Sequence, residues 1–181
     1  MHKLAMKTVS ETIYAVECWG YRGRNKSGNF RGLRRTLKWR AHALNTVVTA
    51  GLNKLLDATF KTGLAAPSWF VGLKGVGAVD PADTMAGGHG GWAELTDYSE
   101  TYRQAFTPGT ISAGSVSNAA AKAIVTASGS MTVAGLFLVD EHTKGGATGT
   151  LYGAANFTEG NRAMVTGDAL SITATLTAAS A

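Results

Sequence analysis

The clearest pattern in the sequence is Ala169-Leu-Ser-Ile-Thr-Ala-Thr-Leu-Thr177. Its apolar residues Leu170, Ile172, Ala174 and Leu176 alternate with hydroxyl residues. In an extended chain, successive side chains point to opposite faces, so this alternation separates an apolar face from a polar face. The stretch therefore predicts a β-strand with one face in a core and the other in solvent.

A second alternating stretch lies near the N-terminus, where Tyr14, Val16 and Cys18 share one face of the segment 12–19. The stretch Leu37-Lys-Trp-Arg-Ala-His42 can alternate in the same way. The residues between these stretches are too rich in glycine and charge to pack in a core. The pattern predicts two strands joined by a long basic loop.

Short runs rich in β-branched and aromatic residues predict further strands. These runs are 68–73, 92–95, 100–106, 122–128, 131–139, 148–154 and 162–165. Turn signals separate several of them, namely 128–129, 144–149, 159–161 and 167–168. Strands at intervals of about ten residues, joined by such turns, are typical of a β-sandwich. The run 68–73 is apolar throughout, which predicts a strand buried on both faces.

One segment has helical spacing instead. Its apolar residues recur at intervals of three and four, as they do on one face of a helix. They are Leu52, Leu55, Leu56 and Phe60. We expect a helix within 46–61, with Thr49 as its N-cap and Gly63 as its stop.

The segment 74–91 contains six glycines, Pro81 and two aspartates, which predicts a loop long enough to be functional or to lie on a partner. Within it, Gly87-Gly-His-Gly-Gly91 resembles the glycine-rich loops that cradle phosphate or form oxyanion holes. Those loops lead into a helix or face a nucleophile elbow, whereas a predicted strand follows here. We therefore interpret His89 as part of a packing or flexible loop.

The composition fits one β-rich domain over residues 1–181. Of the 181 residues, 45% are hydrophobic and 16% are charged, which excludes a disordered polyelectrolyte. The longest apolar run, 131–139, is about half the length of a membrane span, and no secretory signal pattern begins the chain. The expected fold is mainly β, an antiparallel β-sandwich of Ig-like or jelly-roll-like type, with one short α-helix and a basic hairpin extension.

Charge is concentrated in one segment, residues 20–38, which we call the basic arm. Eight cations and no acid occur between positions 22 and 40. They are Arg22, Arg24, Lys26, Arg31, Arg34, Arg35, Lys38 and Arg40. Subtracting these eight from the 17 Lys and Arg residues leaves nine cations against twelve acids, so the rest of the chain is slightly acidic.

Three interpretations of the basic arm remain open. Arginines interleaved with Tyr21, Phe30 and Trp39 suit nucleic-acid contact, because guanidinium groups bind phosphate and aromatic rings stack on bases. Arginine and glycine equally suit docking on an acidic protein surface. The arm is otherwise a solvated loop. No RNA-binding, helix-turn-helix or zinc-finger pattern supports the first interpretation, so we favour docking.

Residue types that often act in catalysis or bind metals show no strong motif in this sequence. His2, His42, His89 and His142 lie far apart, and the single cysteine, Cys18, fits a small buried residue on a strand. The carboxylate pairs Asp80/Asp83 and Asp140/Glu141 fit turns better than acid–base catalysis or calcium binding. The sequence therefore predicts no catalytic residues, no metal and no cofactor.

Five longer motifs stand out along the chain. They are Gly51-Leu-Asn-Lys-Leu-Leu-Asp57, Trp69-Phe-Val-Gly-Leu73, Gly91-Trp-Ala-Glu-Leu-Thr-Asp-Tyr-Ser99, Thr143-Lys-Gly-Gly-Ala-Thr-Gly-Thr-Leu151 and Gly167-Asp-Ala-Leu-Ser-Ile-Thr-Ala-Thr-Leu176. Together they resemble a family of small structural proteins of tailed bacteriophages. The segments 45–50 and 83–86 add to the resemblance, which extends over about residues 10–178. Family members have a short turn where this chain has the basic extension 21–38.

The resemblance implies a virion component without enzymatic activity, assembled in the host cytoplasm. Its expected partners are other phage structural proteins and further copies of itself, with no membrane contact. We expect an accessory subunit that decorates or cements the capsid, or that sits at the head–tail or tail assembly. A tail-fibre or receptor-binding module is the alternative, in which the loop 72–91 and the turn 144–149 bind a surface glycan or protein. Exposed tryptophan and histidine would suit that role. Nucleic-acid binding through the arm is less favoured.

Overall fold

The structure is a computed structural model and describes residues 8–21, 35–61, 67–86 and 89–180. Within these residues the chain forms thirteen strands, one α-helix and one 3₁₀ turn. The strands are β1 (Thr8–Tyr21), β2 (Arg35–Leu44), β3 (Thr46–Val47), β4 (Phe70–Lys74), β5 (Glu94–Leu95), β6 (Gln104–Ala105), β7 (Ser115–Ser117), β8 (Ala123–Thr126), β9 (Met131–Val133), β10 (Gly135–Val139), β11 (Leu151–Asn156), β12 (Arg162–Met164) and β13 (Ala169–Ser180). The helix is α1 (Thr49–Phe60), and the 3₁₀ turn is His89–Gly91.

The strands form two main sheets. Sheet A has the order β2-β1-β13-β7, and β8 also pairs with β13. Sheet B has the order β3-β11-β10-β4-β5, and β6 also pairs with β4. Strands β9 and β12 form a separate small pair. Every strand pairing of the described chain is antiparallel, so the predicted mainly β, sandwich-like fold is confirmed.

The two alternating stretches of the sequence are neighbours in sheet A. Strands β1 and β13 pair over twelve positions, and Val16 lies opposite Ile172. Both side chains are buried between the sheets, together with Tyr14 and Cys18 on β1. Sheet B contributes residues such as Leu136 to the same core. The period of two in the sequence therefore identified the buried face of each strand correctly.

Sheet B is buried on both faces. Its inner face packs against sheet A, while Phe137 and Val139 on its outer face lie beneath Val48, Met85 and Trp92. The last two of these belong to the loop that follows β4. Strand β4 is accordingly buried from Val71 to Lys74, as its continuous apolar run predicts.

The helix differs from its prediction at the N-terminus. Val48, and not Thr49, is the cap residue, and it makes no side-chain capping hydrogen bond. Thr46 and Val47 form the short strand β3 against β11, which removes them from the predicted helix. The amide of Thr49 instead donates to the carbonyl of Pro81 at 3.0 Å. The predicted stop, Gly63, lies outside the described residues.

Some predicted strands are divided or shortened. The run 131–139 forms two strands in different sheets, β9 and β10, and the amide of Ala134 between them donates to the carbonyl of Lys74. The turn 144–149 joins the antiparallel pair β10 and β11, as predicted. The turn 128–129 does not make a hairpin, since β8 pairs with β13 and β9 pairs with β12. The sequence did not predict β3 or β7.

Candidate partner-binding surfaces

The basic arm begins and ends within the hairpin of β1 and β2. Tyr21 and Arg35 form the last pair of this hairpin, so residues 22–34 connect two adjacent strand ends at the edge of sheet A. Both ends of the predicted arm, 20–38, belong to strands, since β1 ends at Tyr21 and β2 begins at Arg35. Five of its candidate residues lie outside the described residues. They are Arg22, Arg24, Lys26, Arg31 and Arg34.

The three described cations of the candidate site contact groups of their own chain. The Arg35 guanidinium lies 5.5 Å from the centroid of the Tyr21 ring. The Lys38 ammonium contacts Asp168 at 2.6 Å, and the Arg40 Nε atom donates to Glu17 at 2.9 Å. The Arg40 hydrogen bond also holds the pKa of the Glu17 carboxyl below its usual value. These cations stabilise the base of the hairpin and place charge on an edge strand, where charge opposes pairing with other chains.

The Lys38–Asp168 pair is the best enclosed of these contacts. The Asp168 side chain is 4% exposed and also accepts a hydrogen bond from the Val165 amide. Gly20 provides the room for this pair, because a Cβ there would overlap the Asp168 carboxylate. Burial, with Asp168 close by, raises the pKa of the Cys18 thiol to about 12. Cys18 is therefore a buried core residue, as expected.

The loop after β4 is packed against its own sheet. Trp92 is 3% exposed and His89 is 7% exposed, and their ring centroids lie 4.4 Å apart. The Trp92 indole donates to the Asp83 carboxylate at 2.9 Å. The tryptophan and histidine that a receptor-binding loop was expected to expose are therefore inside the fold. His89 is packed inside the fold, as expected for a residue of a packing loop. Gly87 and Gly88 lie outside the described residues.

Lys74 is a buried cation that the sequence analysis did not identify. It is 0% exposed, and its ammonium donates to the Gly77 carbonyl at 2.6 Å and the Asn156 side chain at 2.7 Å. The ammonium also lies 5.3 Å from the centroid of the Trp92 ring. Burial lowers the pKa of Lys74 to about 8, although Asp83 acts in the opposite direction. Lys74 thus ties the loop to β11.

Arg103 and Glu94 form a second buried ion pair, with side-chain exposures of 0% and 4%. The guanidinium donates to both carboxylate oxygens, at 2.9 and 2.7 Å. It also donates to the carbonyls of Glu141 and Gly146 at 2.8 and 3.0 Å. The pair therefore holds the turn between β10 and β11 against β5. The sequence pattern did not indicate this cluster, because Glu94 lies nine residues before Arg103 and the two carbonyls lie 38 and 43 residues after it.

His89 should make stability depend on pH, because neither of its buried ring nitrogens has a hydrogen-bond partner. Burial lowers its pKa, and Arg103 acts in the same direction, while Glu94 and Asp83 act against it. Below the unfolded-state pKa of about 6.5, the unfolded chain binds a proton that the folded chain does not. Stability should therefore decrease as the pH falls from about 6.5 towards the folded-state pKa and change no further below it.

Urea unfolding at several pH values between 7.5 and 5 measures this effect. His89→Asn should remove part of the pH dependence, and asparagine tolerates the left-handed backbone at this position, where φ is 57°. The matched control is His142→Asn, because it makes the same substitution at an exposed position and shows what the loss of an exposed histidine does. An identical dependence in wild type and His89→Asn would contradict the assignment.

Carboxylates of the pairs Asp80/Asp83 and Asp140/Glu141 accept hydrogen bonds that stabilise turns. Asp80 accepts the Ala82 amide at 2.7 Å, and Asp83 accepts the Asp80 amide at 3.0 Å. Glu141 accepts the amide and the hydroxyl of Thr143, each at 3.0 Å. In the described part of the chain, no group of three His, Cys, Asp or Glu side chains could hold a metal ion.

The exposed apolar surface is most concentrated along α1. Leu52, Leu56 and Phe60, which we call the α1 stripe, are 42%, 55% and 77% exposed. Beside the stripe, a groove of about 440 Å³ runs between α1 and the strands β7 and β13. Ile111, at one side of this groove, is 74% exposed. The sequence predicted the apolar residues of α1 but not that most of them face outward.

No family model, curated protein or solved structure matches this chain. The helix α1, at 12 residues, lacks the length and the apolar run needed to cross a membrane, and it is the only helix longer than one turn among the described residues.

Proposed function

We propose that this chain is a non-enzymatic structural protein of a tailed-phage particle. Its role is that of an accessory subunit that decorates or cements the capsid or joins the head–tail or tail assembly. The basic arm attaches it to an acidic surface of a neighbouring structural protein. The observation that carries the proposal is the pairing of Tyr21 with Arg35, because residues 22–34 join these two paired strand ends along the chain.

The charge balance of the hairpin supports attachment through the arm. Lys38 and Arg40 are neutralised by Asp168 and Glu17 of the same chain. Residues 22–34 contain five further cations and no acid. Arginine forms paired hydrogen bonds with carboxylates and loses little hydration in doing so. An acidic protein surface is therefore a suitable partner for this segment.

The phage assignment rests on the resemblance of the sequence motifs, which correspond to elements of the fold. The motif 51–57 lies in α1, the motif 69–73 overlaps β4, and the motif 167–176 leads into β13. A β-rich subunit with exposed apolar residues and a charged extension suits an assembled particle. The proposed location is the virion, after assembly in the host cytoplasm.

The buried charged groups support a structural role. Arg103 and Glu94 bind each other and nearby backbone groups, and Lys74 binds backbone carbonyls and Asn156. Each of these side chains joins two segments of the fold. Their contacts account for their burial without a substrate.

Charge reversal in the arm tests the proposal. Arg31→Glu/Arg34→Glu should reduce the copy number of this protein in purified particles about tenfold or more, because the acidic partner then repels the arm. Quantitative mass spectrometry of the particles measures the copy number. The control, Lys122→Glu/Ser130→Glu/Asn161→Glu, changes the net charge by the same amount at exposed positions outside the arm and outside the α1 groove, and it should be incorporated normally.

Two results would overturn the proposal. One is the absence of the wild-type protein from purified particles. The other is normal incorporation of Arg31→Glu/Arg34→Glu combined with loss of a salt-dependent DNA affinity that the wild type shows, which would favour nucleic-acid binding by the arm.

A further inference from the structure

The α1 stripe is the outer part of one mainly apolar side of the helix, which also carries Thr49 and Thr59. At 100° per residue, Leu55, Leu52, Leu56 and Phe60 follow one another around the helix in that order. Leu55 packs partly against the core, and exposure then increases from Leu52 at 42% to Phe60 at 77%. Gly51 is the residue that α1 buries against β11. The helix therefore contacts its own sheet through a glycine and turns its large apolar side chains outward.

The surface beside the stripe is concave and uncharged. Leu55 and Thr59 of α1 form one wall of the groove, while Val116 and Leu176 of sheet A line it opposite. Among the described residues, none of those that line the groove carries a charge. At the rim, Asp57 and Lys61 neutralise each other across 2.6 Å. Two copies of a chain with a net charge of +5 repel each other overall. At this surface no uncompensated charges of the two copies would be brought together.

From this geometry, we infer that the α1 stripe and its groove form a contact between two copies of this chain. The stripe is convex and the groove is concave, so one copy carries both halves of the contact. In a two-fold arrangement, Leu56 of each copy lies near the axis, and Phe60 of each enters the groove of the other. This contact goes beyond the proposed attachment, because it involves neither the basic arm nor the particle.

The apolar area is sufficient for such a contact. The exposed fractions of the stripe and Ile111 equal about two and a half complete large side chains, or roughly 400–500 Å². A stable interface buries about 800 Å² on each partner, of which roughly 450–520 Å² is apolar. The two amounts agree, so a second copy would cover the whole patch.

Analytical ultracentrifugation of the purified full chain tests the inference. The wild type should be a dimer whose dissociation depends on concentration, and Phe60→Asp should raise the dissociation constant about 30-fold or more. Val165→Asp is the matched control, because Val165 is 49% exposed on a different part of the surface and should remain dimeric. Circular dichroism and thermal unfolding confirm that each variant is folded.

A cysteine at the proposed axis gives a second readout that does not depend on weakening the contact. Leu56→Cys should form a covalent dimer on oxidation with diamide, whereas Val165→Cys should not. Native Cys18 is 0% exposed and should not react. A wild type that is monomeric at every concentration, or equal loss of dimer in Phe60→Asp and Val165→Asp, would overturn the inference. Failure of the particle experiment would leave this result unaffected.

Discussion

Replacement of Arg103 with methionine should lower the free energy of unfolding by about 3–5 kcal/mol. The Arg103 side chain is 0% exposed, and methionine fills similar volume without hydrogen-bond donors. The Glu94 carboxylate would then remain buried with only the Gly145 amide, at 2.7 Å, as a described donor. A buried carboxylate without its cation is far less stable than one in water. The variant therefore loses more free energy of unfolding than the ion-pair contact alone would contribute.

The measurement is thermal and urea unfolding of the full chain. For a domain of this size, the expected loss corresponds to a decrease in Tm of roughly 6–20 °C. Lys61→Met is the matched control, because it breaks the exposed Lys61–Asp57 pair and should change stability by less than about 0.5 kcal/mol. A similar small effect in both variants would show that the Arg103 pair is not a structural element.

A double variant separates the ion pair from its surroundings. Arg103→Met/Glu94→Gln removes both charges, so it should recover part of the stability lost in Arg103→Met. If the double variant were less stable than Arg103→Met, the backbone donors to Glu94 would matter more than the pairing of charges. That outcome would also contradict the proposed origin of the loss.

The strand pattern of sheet A was predictable because it is a local property of the sequence. Alternation along β1 and β13 shows directly which side chains face the core, and both strands are long enough for the period to be clear. The short strands were harder to predict. Strand β7 has three residues and β3 has two, and such strands exist because a neighbouring strand pairs with them.

The partners of Lys74 and Lys38 were not predictable, because they come from distant parts of the chain. Lys74 binds Asn156, 82 residues later, and Lys38 binds Asp168, 130 residues later. A charge count assigns Lys38 to the basic arm, whereas the fold uses it to join β2 to the turn before β13. The local sequence therefore shows the excess of positive charge in this segment. It does not show which of the cations bind groups of their own chain.

The groove of α1 was missed for a related reason. Helical spacing identifies an apolar face, and an apolar face is normally the one that packs on the core. In this fold, Gly51 lets the helix backbone approach the backbone of Tyr152, and the rotation this requires leaves Leu56 and Phe60 outside. The face of α1 that packs on the sheet depends on the shape of β11, about 100 residues away. The spacing of apolar residues within α1 carries no information about that shape.

Gly51→Ala should therefore destabilise the protein, by about 1–3 kcal/mol. A Cβ at this position would overlap the carbonyl oxygen and the Cα of Tyr152, which are backbone atoms that cannot move aside as a side chain can. Helix propensity predicts the opposite sign, because alanine favours a helix over glycine by about 1 kcal/mol. The sign of the measured change thus decides between close packing and local propensity.

Asn53→Ala is the control for propensity on the same helix. Asn53 is exposed, so alanine there should stabilise the protein by about 0.5 kcal/mol without a packing cost. Urea unfolding followed by tryptophan fluorescence measures both variants. If Gly51→Ala were stabilising like Asn53→Ala, the helix would not lie against β11 through Gly51. Its leucines would then be free to turn inward, and the α1 stripe would lose its physical basis.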